Sequence, residues 1–381
     1  MNFKVVDGIM EYNLTIDTKQ DIVTSTMPLI KDIKPNWNNL DYKIPTDGIT
    51  NKLIVWYEKV DEKSENAVII KIYGEKSDRI INRKMEINYK KYIHAKKFDK
   101  YSKIFAIFTN GYAYEYCPGE CVSLAESKSP EINELIAKNM ARMHSQISIE
   151  FFNSPKIVPT SQLPIFKRIS SLLNHLKDVW IVVWSTNWVL QIVFLLFTEN
   201  GARDKKHLRP LILEDDIIIL KKVRNEFSHL ELKMQGEWPV VMCHNDILLN
   251  NIVISPERDS ASFIDYEYAF PNVFIFDIAN YFNELCGIEN IDYSLYPSRE
   301  FMVDWIKCYI KHRKIFDSNS RDNLDLNFVI NYLKHYTMLS HLFWMVWAMV
   351  QSTISEISFD YHKYALERYN QFLLYLFENS Q

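Results

Sequence analysis

Only eight glycines occur in 381 residues, at positions 8, 48, 74, 111, 119, 201, 236 and 287, and the closest pair lies eight positions apart. Glycine lets a backbone turn tightly or press against a phosphate. A spacing this wide excludes G-x-G-x-x-G, G-x-x-x-x-G-K and G-x-S-x-G, and with them the dinucleotide fold, the Walker loop and the hydrolase nucleophile elbow. H-E-x-x-H is also missing, which removes the commonest zinc-hydrolase signature. The length leaves room for two or three domains, or for two lobes that share a cleft. Apolar residues at 48% and charged residues at 24% belong to a globular chain rather than a disordered or fibrous one. With 44 Lys and Arg against 48 Asp and Glu, the net charge is −4, so no overall positive field gathers nucleic acid. The five cysteines, at 117, 121, 243, 286 and 308, contain no C-x-x-C pair and follow no signal-like start. Their odd number fits free thiols in a reducing compartment, hence a cytoplasmic location.

Residues 1–40 carry Pro28, Pro35 and scattered charge without a clear period, and read as an N-terminal extension of short helical pieces. From 41 to 117 the pattern turns to strands: KLIVWYEKV, AVIIKIYG, KIFAIFTNG and YAYEYCPG are apolar or β-branched runs closed by Gly, Pro or charge. Between the second and third runs, RKMEINYKKYIHAKKF repeats its apolar positions at helical spacing. The predicted order is strand, strand, helix, strand, strand. Beyond Pro118–Gly119 the period is helical almost throughout, except for one compact block: VVMCHND at 240–246, then NNIVI and SFIDYEY, set as a loop and two short strands among helices. This pattern gives an α+β class, with a small β-rich N-terminal lobe over 41–117 and a larger, mainly helical lobe over 118–381.

Residues 179–198 fit that plan least. They carry no charge over 20 positions, close to the ~20 residues that span a bilayer. Yet Ser185, Thr186, Asn187 and Gln191 sit near the centre, where lipid penalises polar groups, and a span would put the two halves of the helical lobe on opposite sides. A hydrophobic insertion near 179–205, buried or self-associating, is the preferred reading. Peripheral membrane contact through 179–198 and a true span are the alternatives.

Chemistry concentrates in His244-Asn245-Asp246, in Asn251 five residues beyond Asp246, and in Asp265 fourteen beyond Asn251. Moving a γ-phosphoryl group to an alcohol needs a carboxylate that holds the hydroxyl and accepts its proton, and oxygen ligands that fix a hard cation on the phosphates. Either Asp alone would read as a turn cap. Taken together, below a β-rich lobe, the three residues read as a phosphotransferase site. Their spacing resembles the H-R-D-x-x-x-x-N and D-F-G elements of protein kinases, which implies a protein-kinase-like two-lobe fold.

The blocks TDGITNKL (46–53), VIIKIYG (68–74), YAYEYCPGE (112–120), CHNDILLNNIVI (243–254), FIDYEYAFPNVFIFDIANYFNE (263–284) and SHLFWMVWAMVQ (340–351) resemble, in order, the eukaryotic choline/ethanolamine kinase family, its ethanolamine branch most of all. The resemblance implies Asp246 as catalytic base and Asn251 and Asp265 as Mg²⁺ ligands. Glu267, two residues on along a presumed strand, would point the same way as Asp265 and assist at the metal, a surface or salt-bridged Glu being the plain alternative. The resemblance further implies ATP as phosphoryl donor, with Gly48, Thr50 and Asn51 in the nucleotide loop, Lys71 on the phosphates and Glu86 as its ion-pair partner. Many relatives carry Arg where Lys71 stands, which exchanges a fork for a point charge. Glu115 to Cys117 would form the connector whose backbone bonds adenine.

For the acceptor, the resemblance implies a small amino alcohol held by Glu284, Trp344, Trp347 and Tyr364, with Tyr268 near the base. Core packing is the competing account of the two tryptophans, at i and i+3 of an apolar helix. A primary ammonium has three N–H donors to satisfy, whereas a trimethylammonium wants a fuller aromatic cage and no acceptors. Leu248 and Asn250 depart from the HNDxQxGN typical of choline kinases, and no tyrosine follows soon after Glu284, so ethanolamine is preferred. The expected product is phosphoethanolamine, for phosphatidylethanolamine synthesis by the CDP-ethanolamine route. A choline or dual kinase, and an inactive kinase-like scaffold at a membrane, are the alternatives; the likeness also allows a homodimer.

Overall fold

The computed structural model describes residues 3–17, 21–45, 50–59, 66–176, 214–317, 324–355 and 357–377; Gly48 and the apolar stretch 179–198 lie outside the described residues. In chain order the small lobe runs β1 (Phe3–Val6), β2 (Ile9–Tyr12), α1 (Ile22–Ile33), β3 (Leu40–Lys43), β4 (Asn51–Glu58), β5 (Val68–Tyr73), α2 (Arg83–Ala95), β6 (Ile104–Phe108) and β7 (Gly111–Glu115). Its strands form one sheet in the order β1-β2-β6-β7-β5-β4-β3. The predicted succession of two strands, a helix and two strands is β4, β5, α2, β6 and β7.

The helical expectation for residues 1–40 needs correcting. Among the described residues only α1 is helical there; β1 and β2 form a hairpin across Asp7–Gly8, both with positive φ, 51° and 77°. An Asp-Gly pair takes up that left-handed turn at low cost and matches the twist of the strands it joins. Lys4 stands opposite Glu11 across the hairpin and their charges meet at 3.0 Å. β2 then pairs parallel with β6, so the hairpin extends the nucleotide-lobe sheet instead of capping it.

Period-two alternation in β5 decides where Lys71 points. Val68, Ile70 and Ile72 face a core built with Ile54, Trp56, Ala106 and the α1 residues Leu29 and Ile30. Lys71 therefore falls on the other face, towards α2. Gly111 begins β7 beside it, where a Cβ would overlap the Lys71 carbonyl oxygen. Asn82 caps α2 by accepting from the Met85 N–H at 3.0 Å, which sets Arg83 and Glu86 on its first turn.

The large lobe contains β8 (Glu120–Cys121), α3 (Pro130–Gln146), β9 (Ile157–Pro159), α4 (164–176), α5 (Glu214–Lys233), β10 (Glu237–Pro239), β11 (Val241–Cys243), β12 (Ile252–Ile254), β13 (Ala261–Phe263), β14 (Phe270–Asn272), α6 (Phe274–Glu284), α7 (Arg299–Phe316), α8 (Leu326–Ile354) and α9 (Tyr361–Phe377). Every residue of α6 is buried, which makes it the central helix of the lobe. It packs on α8, which packs on α9, while α3 lies against α7. The strand pairs β11–β14 and β12–β13 hold the compact block in the middle, and β8 joins β12 at Gly119. Gly119 has φ 130°, and a side chain there would strike the Ile254 carbonyl. No disulfide links any two of the five cysteines. Among the described residues, no helix is long and apolar enough to cross a membrane.

Candidate active site

The loop that follows β11 is held from below. Asn245 sits in the left-handed region at φ 64°, which Asn tolerates better than most residues. Its side-chain Nδ2 donates to the Tyr268 and Phe270 carbonyls, each at 3.1 Å, and its Oδ1 accepts from Asn272 at 2.8 Å. The peptide N–H groups of His244 and Asn245 both donate to the Asp277 carboxylate, at 2.8 and 2.7 Å. Asp277 lies fully buried on the first turn of α6 and also meets His144 Nε2 at 3.0 Å; His144 Nδ1 meets the Tyr309 hydroxyl at 2.8 Å. Sequence reasoning left Asp277 out. Its one signal is a lone carboxylate in an otherwise apolar stretch.

Asp246 projects from this loop, and Asn251 Nδ2 donates to its carbonyl at 2.9 Å and its Oδ2 at 3.2 Å. Asp265 follows β13 in a left-handed conformation, φ 59°, and residues 266–268 then form a 3₁₀ turn. The expectation that Glu267 continues a strand beside Asp265 is therefore corrected. The turn aims Glu267 at the small lobe, where its Oε2 accepts from Lys71 Nζ at 2.8 Å, Arg83 Nη1 at 2.7 Å and Asn51 Nδ2 at 2.8 Å. Lys71 also meets Glu86 Oε1 at 2.9 Å, as expected, and Asp265 Oδ1 at 2.6 Å.

Arg83, which sequence reasoning missed, closes the network: it donates to Glu86 at 2.9 Å, Asn51 Oδ1 at 2.8 Å and Ser77 Oγ at 2.7 Å. Its signal is the i, i+3 charge pair with Glu86. Both ends of the Asn51 amide are occupied here, by Glu267 and Arg83. On the connector, the Glu115 N–H donates to the Lys103 carbonyl at 2.9 Å and the Tyr116 N–H to that of Ala67 at 3.2 Å. These bonds commit the first part of the connector to the small lobe, ahead of buried Cys117.

Charge in this cluster does not balance. Lys71 is held charged, far above its usual range, because Asp265, Glu267 and Glu86 outweigh its burial. Glu267 is lowered to about 2 by Lys71 and Arg83, against its burial. Asp246 goes the other way: burial, then repulsion from Glu284, Asp265 and Glu267, push it well above the carboxylate range. Lys71 and Arg83 are the two cations among Glu86, Asp265 and Glu267, and Asp246 feels Asp265 and Glu267, so the group carries a surplus of negative charge once all four carboxylates are ionised. Oxygen donors with that surplus fit a hard divalent cation. Asn251 and Asp265 flank Asp246, and side-chain oxygens of Asp265, Glu267 and Glu86 lie within 4.8 Å of one another.

Beside this cluster lies an aromatic wall. Trp344 and Trp347 of α8 meet the Tyr268 ring edge-on, with centroids 5.3 and 6.4 Å away, and Tyr364 of α9 stands 6.5 Å from Trp347. Trp347 Nε1 donates to the Tyr268 hydroxyl at 2.8 Å, and Trp344 Nε1 donates to Asn280 Oδ1 at 2.7 Å. The four rings are buried, and Glu284 at the end of α6 is buried with them. Glu284 is not alone, however: Arg368 of α9 donates to its Oε1 and lies 4.9 Å over the Tyr364 ring. Arg368 was absent from the sequence-derived set, although it stands one helical turn beyond Tyr364. Burial raises the Glu284 carboxyl and Arg368 pulls it back.

Fold and site together define a two-lobed phosphotransferase with an acidic loop and a buried, carboxylate-bearing aromatic cluster beside it. Residues 43–373 match the choline/ethanolamine kinase family, and the chain belongs to it. It is 33% identical over 312 residues to an ethanolamine kinase of Drosophila melanogaster, covering 81% of this chain and 54% of that protein, so the chain spans about half the length of that relative. Human ethanolamine kinase 2 is 30% identical over 368 residues, 96% of this chain and 84% of that one. An ethanolamine kinase structure from Plasmodium vivax superposes with a TM-score of 0.65 at 26% identity, covering 94% of this chain and 90% of that one. More distant structures of the same fold hold AMP, or AMP-PNP with Ca²⁺. The chain is a kinase, and the alternative of an inactive membrane scaffold has no support.

Proposed function

We propose that this chain transfers the γ-phosphoryl group of ATP to the hydroxyl of ethanolamine, giving phosphoethanolamine for phosphatidylethanolamine synthesis by the CDP-ethanolamine route. The observation that carries the choice of acceptor is Glu284, a carboxylate buried beside Tyr268, Trp347 and Tyr364 and close enough to Asp246 to raise its pKa. A primary ammonium needs such an acceptor for its N–H donors, and the aromatic faces complete the cation site. Asp246 holds the substrate hydroxyl and accepts its proton, a task suited to a carboxylate raised towards neutrality. Asn251 and Asp265 would hold Mg²⁺, which when bound neutralises charge on the transferred phosphoryl group.

Lys71 turns from the carboxylates to the nucleotide phosphates, and Glu86 keeps its ammonium in place. Glu267 ties the nucleotide loop to the catalytic loop through Asn51 and Arg83. The backbone at Cys117 meets adenine, and cysteines that form no disulfide with one another fit a cytoplasmic enzyme. A choline kinase would use the same aromatic faces. The two separate in an assay of ATP consumption with ethanolamine, its N-methyl derivatives and choline side by side. kcat/KM should decline with each methyl, because each removes a donor that Glu284 would bind. A flat or rising series would assign the chain to choline.

A further inference from the structure

Away from the cleft, where α3 crosses α7, three metal-ligand side chains converge. Cys308 and His312 are one helical turn apart on α7 and so share a face. Glu134 reaches them from α3, with Oε1 3.2 Å from His312 Nε2. The Cys308 Sγ, the His312 ring nitrogen and the Glu134 carboxylate oxygen all lie within 4.8 Å of one another. The geometry points to a zinc site with Cys308, His312 and Glu134 as ligands and water in the fourth position.

Zinc bonds of about 2.0–2.3 Å set the edges of a tetrahedral ligand shell at roughly 3.3–3.8 Å. The Glu134–His312 edge is already close to that length, and Cys308 needs at most about 1 Å of closing, within reach of small side-chain rotations. A thiolate and a carboxylate offset the ion's charge. Lys311, which approaches Glu134 at 3.5 Å, is 65% exposed and can swing into water. Sulfur and imidazole donors separate this site from the oxygen-only catalytic cluster, so Mg²⁺ does not compete for it. The buried trio His144, Cys243 and Asp277 has similar donors, but its carboxylate is already engaged by two peptide N–H groups and His144. Tyr309, adjacent to Cys308, bonds His144, and His144 bonds Asp277. An ion clipping α3 to α7 therefore braces the helices behind the catalytic loop.

Titrating Co²⁺ into the full chain, freed of metal beforehand, reads sulfur ligation directly through a near-ultraviolet charge-transfer band. One Co²⁺ per chain should develop the band and Zn²⁺ should erase it. Cys308→Ser should abolish it, and His312→Gln should weaken binding by at least the roughly 10–100-fold that loss of even an outer-shell partner costs. Glu134→Gln, a change on a half-exposed side chain that leaves the core intact, should weaken binding while the band persists. Absence of a band in the parent, a band unchanged in Cys308→Ser, a band lost only in Cys243→Ser, or Glu134→Gln with parental affinity would each overturn the assignment.

Discussion

Replacing Arg368 with methionine removes a buried cation while keeping most of its apolar stem. Arg368 is 1% exposed and Glu284 5%, so the change leaves a carboxylate in a dry pocket without its partner. Breaking such a pair from one side costs about 3–5 kcal/mol. Glu284 limits the loss by taking up a proton, since burial already raises its carboxyl and Arg368 is the cation that opposes the rise. The sign follows from linkage. With Arg368 gone, the folded-state pKa of Glu284 stands further above its unfolded value, so the variant is most stable at low pH and loses stability as pH climbs through the raised pKa. At about 2 °C per kcal/mol, thermal unfolding at neutral pH should begin roughly 6–10 °C early. Steady-state kinetics should show a higher KM for ethanolamine that falls as pH rises and the carboxyl ionises, with kcat changed much less because Lys71 keeps its surroundings and a protonated Glu284 only relieves the repulsion on Asp246. Arg368→Met combined with Glu284→Gln should regain stability without regaining ethanolamine affinity, a non-additivity that double-mutant cycles measure. An Arg368→Met enzyme with parental KM at every pH, or strictly additive stability losses, would refute the reasoning.

Asp246→Ala should lower kcat by roughly 10²–10⁴ with KM for ethanolamine little changed, as read by ADP release. Because Asp246 is raised and must be ionised to accept a proton, kcat/KM should fall as pH drops through its elevated pKa and level off above it; a profile that stays flat down to the ordinary carboxylate range would contradict its role. Glu267→Gln loosens Lys71, Arg83 and Asn51 together and should raise KM for ATP more than KM for ethanolamine. Chelation of divalent cations should stop turnover, and Mg²⁺ should restore it.

What could be read from the sequence is what the reaction itself dictates at short range. Asp246 and Asn251 lie on one loop, where spacing and residue type point to them, whereas Lys71 and Glu86 were named through the family resemblance and the structure shows their ion pair. The β1–β2 hairpin was not read, although Asp7–Gly8 is a turn signal, because Lys4 and Glu11 obscure the alternation around it; only the cross-strand pairing shows them to be partners. Asp277 and Arg368 are different. Each is a buried charge whose partner lies on another element, 33 residues away for His244 and Asp277 and 84 for Glu284 and Arg368, so nothing local distinguishes it from a misplaced polar residue.

Glu267 shows where the two kinds of information meet. Period-two spacing puts it on the same side as Asp265, but the positive φ at Asp265 ends the strand and rotates Glu267 towards β5 and α2. One backbone angle thus divides two carboxylates between two tasks. Asp265 stays one-third exposed, where a cation can reach it, while Glu267 is sealed beneath three donors that belong to the other lobe. On the proposed function, a metal–nucleotide held at Asp265 would compete with Lys71 for that carboxylate, whereas the bond of Lys71 to buried Glu267 would not be contested there. The three bonds at Glu267 would then keep the lobes joined if Lys71 exchanged Asp265 for phosphate.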